Sequence, residues 1–192
     1  MPRARSEQKD TVIEILKTSF QDNPSIVEII NQNKPRDRQL DLLLFYAYQR
    51  ANNREGVYIS KNEKCAALCF SSEEKGFFPL ELIAEVKFGL AVSFLKSLQT
   101  LSRQNRLSRK RIKEPHLYFW FFGALKDNNG GAYEVMKELF CKSAESRLPI
   151  VAETSVEKNK RVYERFGFEV YDLFDDGKGP KLWMMIRQPR VK

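Results

Sequence analysis

Gly123 to Phe140 reads GALKDNNGGAYEVMKELF, and the two sides of its glycine pair decide the fold. Ahead of it stands HLYFWFF, residues 116–122, apolar on both alternating faces as a central strand covered on both sides must be. Behind it, residues 131–147 carry helical spacing and helix-forming side chains. Asn129-Gly130 is also a hairpin signal, but a hairpin would be followed by a strand, and the period here is helical. The segment therefore reads as strand, glycine loop, helix. The first N–H groups of a helix lack partners and sit at the positive end of its dipole, so such a junction binds anions. Gly130 and Gly131 let the backbone approach a phosphate with no Cβ in the way. Asp127 is either a carboxylate beside that phosphate or the cap of the following helix.

Working outward, LPIVAET (148–154) reads as a strand. SVEKNKRVYERFG reads as a helix, with Ser155 available as its cap and Gly167 as its stop. FEVYDLF and KLWMMIRQ are strands around the turn DDGKGP. Upstream, GVYISKNEKCAALCF alternates and reads as two strands with a turn at Lys61–Glu63. Helices are expected over residues 7–20, over SIVEIINQN after Pro24, and over residues 34–53 with Asp37 near the start. Between the strand pairs, Ile83, Val86, Leu90, Phe94, Leu98 and Leu101 step by three or four. That is one apolar stripe on a long helix with a possible break near Gly89.

The chain has 192 residues, 42% of them hydrophobic and 12% aromatic, which suits one packed globular domain over 1–192. No run of 18 apolar residues exists to span a membrane, and MPRARSEQKD lacks the apolar core of a signal peptide, so a cytoplasmic protein is expected. Cys65, Cys69 and Cys141 read as small buried hydrophobes, and with His116 the only histidine there is no zinc-type cluster. The net charge of +8 is uneven: Arg103, Arg106, Arg109, Lys110, Arg111 and Lys113 stand close together with no acid among them. Such a segment is either a solvated helix end or an anion-attracting patch.

YERFGFEV, Tyr163 to Val170, following the glycine loop, resembles the GNAT superfamily of N-acetyltransferases. Tyr163, Glu164, Gly167 and Phe168 match the family's N-x-x-A-x-x-x-Y-E-x-x-G-F helix and strand, and DNNGGA falls where the family has its acyl-CoA motif, R/Q-x-x-G-x-G/A. Gly130 and Ala132 fit the G-x-A of that motif. Asp127 stands where Arg or Gln is usual, Val156 where Asn is usual, and Asn159 where the family has Ala or Asn. The resemblance covers residues 115–188 well and the first half in outline.

The resemblance implies an α/β single-domain fold: a mixed, mostly antiparallel sheet with splayed central strands, helices on both faces, and an extra long helix between the family's strands 3 and 4. It implies acetyl-CoA as co-substrate and no metal. The pantetheine would lie where the family's fourth and fifth strands part, its pyrophosphate on the glycine loop. The implied cofactor-binding residues are Gly123, Ala124, Leu125, Asn129, Gly130, Gly131, Ala132, Tyr133 and Asn159. An amine would attack the thioester directly, Tyr163 would protonate the leaving thiolate, and a strand N–H would hold the oxyanion. Glu153 is the nearest carboxylate for a general base, and a water relay would serve equally. The expected acceptor is a primary amine on a small molecule or protein, walled by the helix around residues 79–101; neither nucleic acid nor a membrane is the expected partner. Two rival readings remain: a catalytically inactive GNAT-like module that binds CoA or another ligand, favoured by Asp127 and Val156, and a nucleic-acid-binding protein using residues 103–113.

Overall fold

A computed structural model describes residues 3–73, 78–92 and 94–190, with the backbone alone at 92 and 94–98. Helices α1 (Lys9–Phe20), α2 (Pro24–Ile29) and α3 (Arg36–Asn52) precede strands β1 (Val57–Ile59) and β2 (Cys65–Ser71). Helices α4 (Pro79–Val92) and α5 (Phe94–Lys110) lead to β3 (Leu117–Ala124) and α6 (Gly131–Ser146). Then come β4 (Ile150–Thr154), α7 (Glu157–Arg165), β5 (Glu169–Phe174) and β6 (Leu182–Arg187). The six strands form one sheet in the order β1-β2-β3-β4-β6-β5. Only β3 and β4 run parallel. None of the described helices is long and apolar enough to cross a membrane.

The parallel ladder is short. It pairs Leu117 with Ile150, Tyr118 with Val151 and Phe119 with Ala152, and there it stops. Past that rung β3 stays on β2 as far as Ala124, and β4 stays on β6 through Thr154. Each strand is held by its other neighbour, so the two diverge. This fork is the splay expected of the central strands, with β3 and β4 standing where the resemblance puts the family's fourth and fifth.

Strand alternation sends side chains to two cores. On one face Val12, Ile15 and Leu16 of α1 and Leu40, Leu44 and Ala47 of α3 pack on Ala66, Leu68 and Phe121. On the other, Val135, Met136 and Leu139 of α6 and Tyr163 of α7 pack on Cys69, Phe119, Ile150 and Ala152. A third cluster joins Leu107 of α5 to Phe174, Leu182 and Met184. Met184 and Trp183 alternate on β6, so α5 covers the β5–β6 end of the sheet on the face opposite α6 and α7.

Several expectations need correction. Helix α2 ends at Ile29, short of Asn33, because Gln39 captures the next turn: its Oε1 accepts from Asn31 N–H at 2.7 Å and its Nε2 donates to Asn31 O at 3.0 Å. Of the stripe read along residues 83–101, the four side chains that are described do not face the core. Ile83, Val86, Leu90 and Leu101 are 49%, 52%, 74% and 54% exposed. Helix α4 instead buries Ala84 and Glu81, the latter paired with Arg54 at 2.7 Å. The stripe's Phe94 and Leu98 side chains lie outside the described residues. The one long helix expected between the family's strands 3 and 4 lies there, between β2 and β3, but as two elements, α4 and α5. Cys141 is exposed, unlike Cys65 and Cys69, whose thiols burial pushes up to about 11 and about 12.

Candidate active site

The fork sets different chemistry on its two faces. Below it, Tyr163 is 8% exposed, its ring 5.7 Å from Phe119 and 5.6 Å from Phe168. Burial pushes its hydroxyl well above the usual tyrosine range, so it keeps its proton at neutral pH. Helix α7 can deliver Tyr163 there because Gly167 ends it in a left-handed turn, its N–H donating to Glu164 O at 2.9 Å, and returns the chain to Phe168. The helix start differs from expectation. Val156 stands at the cap with no side-chain bond, and Ser155 Oγ lies 2.8 Å from Ser25 Oγ of α2. Asn159, half-buried, lies one turn before Tyr163.

Tyr118 is the neighbour of Phe119 and so points to the other face, where it meets Glu153. Glu153 is held on both carboxylate oxygens by Arg111: Nε donates to Oε1, and Nη2 donates to Oε2 at 2.9 Å. Tyr118 Oη donates to Oε2 at 3.1 Å and accepts from Arg111 Nη2 at 2.9 Å. The guanidinium also lies over the Tyr118 ring, 4.6 Å from its centre. Burial pulls the Arg111 proton affinity down, but Tyr118 and Glu153 more than offset it, and the net shift is upward. Burial first, and then the Glu153 charge, push the Tyr118 hydroxyl up. The expected base is thus already part of a closed cluster.

The glycine loop resolves into two separate roles. Gly130 has φ +86° and open space around the position of a Cβ, following Asn129 at φ +45°. Gly131 is φ-normal but crowded: a Cβ there would meet Asn62 Oδ1 at 2.8 Å and Ser60 Oγ at 2.9 Å. The β1–β2 turn docks on the start of α6, with Lys61 N–H donating to Glu134 Oε2 at 3.1 Å and Asn62 Nδ2 donating to Asn128 O. Gly130, not Asp127, occupies the cap position, and Glu134 N–H is the first to bond back along the helix, to Gly130 O at 3.1 Å. The N–H groups of Ala132, which donates to Asn128 Oδ1 at 3.4 Å, and Tyr133 precede it, at the positive end of a 16-residue helix. Asp127 is exposed and paired with Lys64, which holds its carboxyl below the usual range. Gly123, Ala124 and Leu125 line the far arm of the fork, and Gly123 makes room for α1, a Cβ there meeting Ser19 Oγ at 2.9 Å.

The basic segment is largely neutralised within the chain. Arg103 and Arg106 both pair with Asp176, Lys110 with Asp172 at 2.9 Å, and Arg111 with Glu153. These pairs lay α5 along β4, β5 and the β5–β6 turn. Between α5, α2 and that turn lies a cavity of about 680 Å³, lined by Ser25, Glu28, Gln99, Arg106, Lys178 and Leu182 among others. The Ser25–Ser155 contact places its α2 wall beside the end of β4. Among the described residues no group of three or more His, Cys, Asp or Glu side chains could hold a metal ion.

Sequence reasoning did not single out Tyr118, Arg111, Asn62 or Lys64. Tyr118 sat inside an apolar run, and its one signal was a hydroxyl on a strand otherwise built for burial. Arg111 was one cation of six in a patch, and nothing local to it points to Glu153, 42 residues on.

No protein-family model matches the sequence, and neither does any curated protein. Solved structures do. The chain is similar to the histone acetyltransferase HPA2 and related acetyltransferase from Corynebacterium glutamicum, with TM-score 0.70 and 17% identity over 100% of this chain and 96% of that one. It is also similar to arylalkylamine N-acetyltransferase 2 from Aedes aegypti, with TM-score 0.64 and 16% identity over 98% and 97%. The polyamine N-acetyltransferase of Drosophila melanogaster gives TM-score 0.60 and 11% identity over 97% of each chain. At these identities the likeness is one of fold: the chain has the GNAT fold throughout its length.

Proposed function

We propose that this protein is an N-acyltransferase that carries an acyl group from an acyl-CoA, acetyl-CoA foremost, to a primary amine. One observation carries the reading. The β3–β4 ladder ends at Phe119 and Ala152, with a buried, protonated tyrosine under one face of the opening and a polar cluster over the other. A thioester lying across such a fork would meet a proton donor on one side and an amine on the other.

The residues present suit that ligand. Gly130 and the first-turn N–H of Tyr133, with that of Ala132 held only by a long bond to Asn128 Oδ1 at 3.4 Å, offer an anion site to a pyrophosphate, with Lys126 exposed close by. Beyond Phe119, β3 has N–H groups on the side away from β2 and no β4 partner for them, which suits a developing oxyanion. Tyr163 would protonate the departing thiolate. The α5-walled cavity, which Tyr118 and Glu153 do not line but whose α2 wall sits beside the end of β4, would hold the acceptor's substituent while its amine reaches the fork. Aryl- or polyamine acceptors, as in the names of two of the similar enzymes, fit its partly apolar lining of Ile29, Leu107, Pro180 and Leu182.

The inactive-module reading draws on Asp127 and on the β1–β2 turn pressed against Gly131. Release of free thiol from acetyl-CoA, measured against a panel of arylalkylamines, polyamines and lysine peptides, decides between them. Turnover with any amine supports the transferase. Tight CoA binding with no thiol release across the panel supports the module.

A further inference from the structure

We propose that Tyr118 is a catalytic residue whose oxygen accepts an N–H of the neutral acceptor amine, with Glu153 and Arg111 as the positioning residues that aim it, so that the amine loses its proton to water before it binds. This rests on the acyltransferase reading above.

A general base must have a lone pair free to take the proton and a proton affinity suited to the task. Glu153 has both oxygens bonded to a guanidinium, and Oε2 also accepts from Tyr118. Three of the four carboxylate lone pairs are taken, and a proton on the one left, on Oε1, would leave Arg111 without its counter-charge in a part-buried site. The carboxylate is therefore placed to orient, not to accept.

What it orients is Tyr118. A hydroxyl has one proton and two lone pairs. The Tyr118 proton goes to Glu153 and one lone pair takes Arg111 Nη2. One lone pair is left, its direction set by the two bonds already made and its strength raised by their polarisation. Tyr118 is adjacent to Phe119, the last residue of β3 that pairs with β4, and faces away from Tyr163. An N–H held on that lone pair leaves the nitrogen's own pair free for the thioester carbonyl.

The charge around it selects the neutral amine. Arg111 and Glu153 cancel one another; Arg50 of α3, tied to Tyr46 at 2.8 Å and Glu81 at 3.6 Å, and Tyr171 of β5 are the other titratable groups that act on this cluster. Burial pushes Tyr171 up to about 12, so it is neutral at working pH. None of these supplies an uncompensated negative charge to hold an ammonium. The steps balance: an ammonium N–H bond breaks in water, giving neutral amine and hydronium. The neutral nitrogen then bonds to the acyl carbon, the C–S bond breaks, and the thiolate takes the Tyr163 proton. The nitrogen sheds its surplus proton to water, and water restores the Tyr163 proton.

The test is the pH dependence of kcat/KM for acceptors of matched shape and different amine pKa, such as a phenylethylamine and its β-fluorinated analogues. The inflection is expected to move with each amine's own pKa. An inflection fixed across the series would show an enzyme base and overturn the proposal while leaving the acyltransferase reading intact. Absence of transfer to every amine would overturn both. Tyr118→Phe should lower kcat/KM about tenfold or more, the loss of one hydrogen bond in a desolvated site. Glu153→Gln should lower kcat yet keep the amine-dependent inflection; loss of that inflection in the variant would contradict a positioning role.

Discussion

Phe119 and Ala152 form the last rung of the β3–β4 ladder, and one residue further on Trp120 and Glu153 no longer pair with each other. The ring of Phe119 packs against Tyr163, so the proposed proton donor is fixed at the point where the sheet opens. Its neighbour Tyr118 turns to the opposite face and the Arg111–Glu153 pair.

Tyr163→Phe should lower turnover by about ten- to a thousandfold, because general-acid help is worth about 10²–10⁴ and water replaces part of it. The ring contacts with Phe119 and Phe168 remain, so the melting temperature should hold. Unchanged kcat in a folded variant would make Tyr163 a packing residue.

The pairing of Asp127 with Lys64 changes what Asp127→Asn does. The substitution removes an anion beside the proposed phosphate site and releases Lys64 toward it. CoA should bind about three- to tenfold more tightly at low salt, with less gain at high salt. Stability should barely move, since Gly130 stands at the helix cap. Calorimetry and thermal melts on the same variant check both halves.

The two glycines separate by substitution. Gly131→Ala pushes a methyl into Ser60 and Asn62 and should cost about 1–2 kcal/mol through displacement of the β1–β2 turn. Gly130→Ala meets no atom and should cost about 1 kcal/mol through its positive φ alone. Only the first should alter hydrogen exchange at Lys61–Lys64.

Acid should loosen α5. Burial opposes it, but bonds from Arg106 and the Lys178 backbone and the Arg103 charge hold the Asp176 carboxyl below its usual range, and Lys110 does the same for Asp172. Folded values below unfolded ones mean stability that is complete above about pH 4 and lost as pH falls through the folded values. Asp176→Asn should lower the melting temperature at pH 7 by about 2–4 °C and flatten part of the loss between about pH 4 and pH 2. A wild-type acid profile in the variant would show that the pairs contribute nothing.

The elements that carry the fold were legible because each advertises a period. The unbroken apolar run HLYFWFF, the helical spacing after Gly131, and the stop at Gly167 mark out β3, α6 and α7 nearly to the residue. The fork followed from the resemblance carried by YERFGF. What stayed hidden depends on partners distant in sequence. Ile83, Val86, Leu90 and Leu101 keep a helical period and still face out, because Glu81 and Ala84 proved the better match for α3. The cations of 103–111 read as a solvated or anion-seeking patch because their acids, Glu153, Asp172 and Asp176, come 42 or more residues later. Gly131 looked like a phosphate glycine, and its crowding by Ser60 could be seen only in three dimensions.

The most direct measurement is a crystal structure of the protein grown with CoA. The pantetheine arm should lie between β3 beyond Phe119 and β4 beyond Ala152, its sulfur beside Tyr163 and its pyrophosphate at Gly130–Tyr133. CoA bound elsewhere, for instance on the outer surface of α5, or a closed fork with no CoA at millimolar concentration, would contradict the acyltransferase reading.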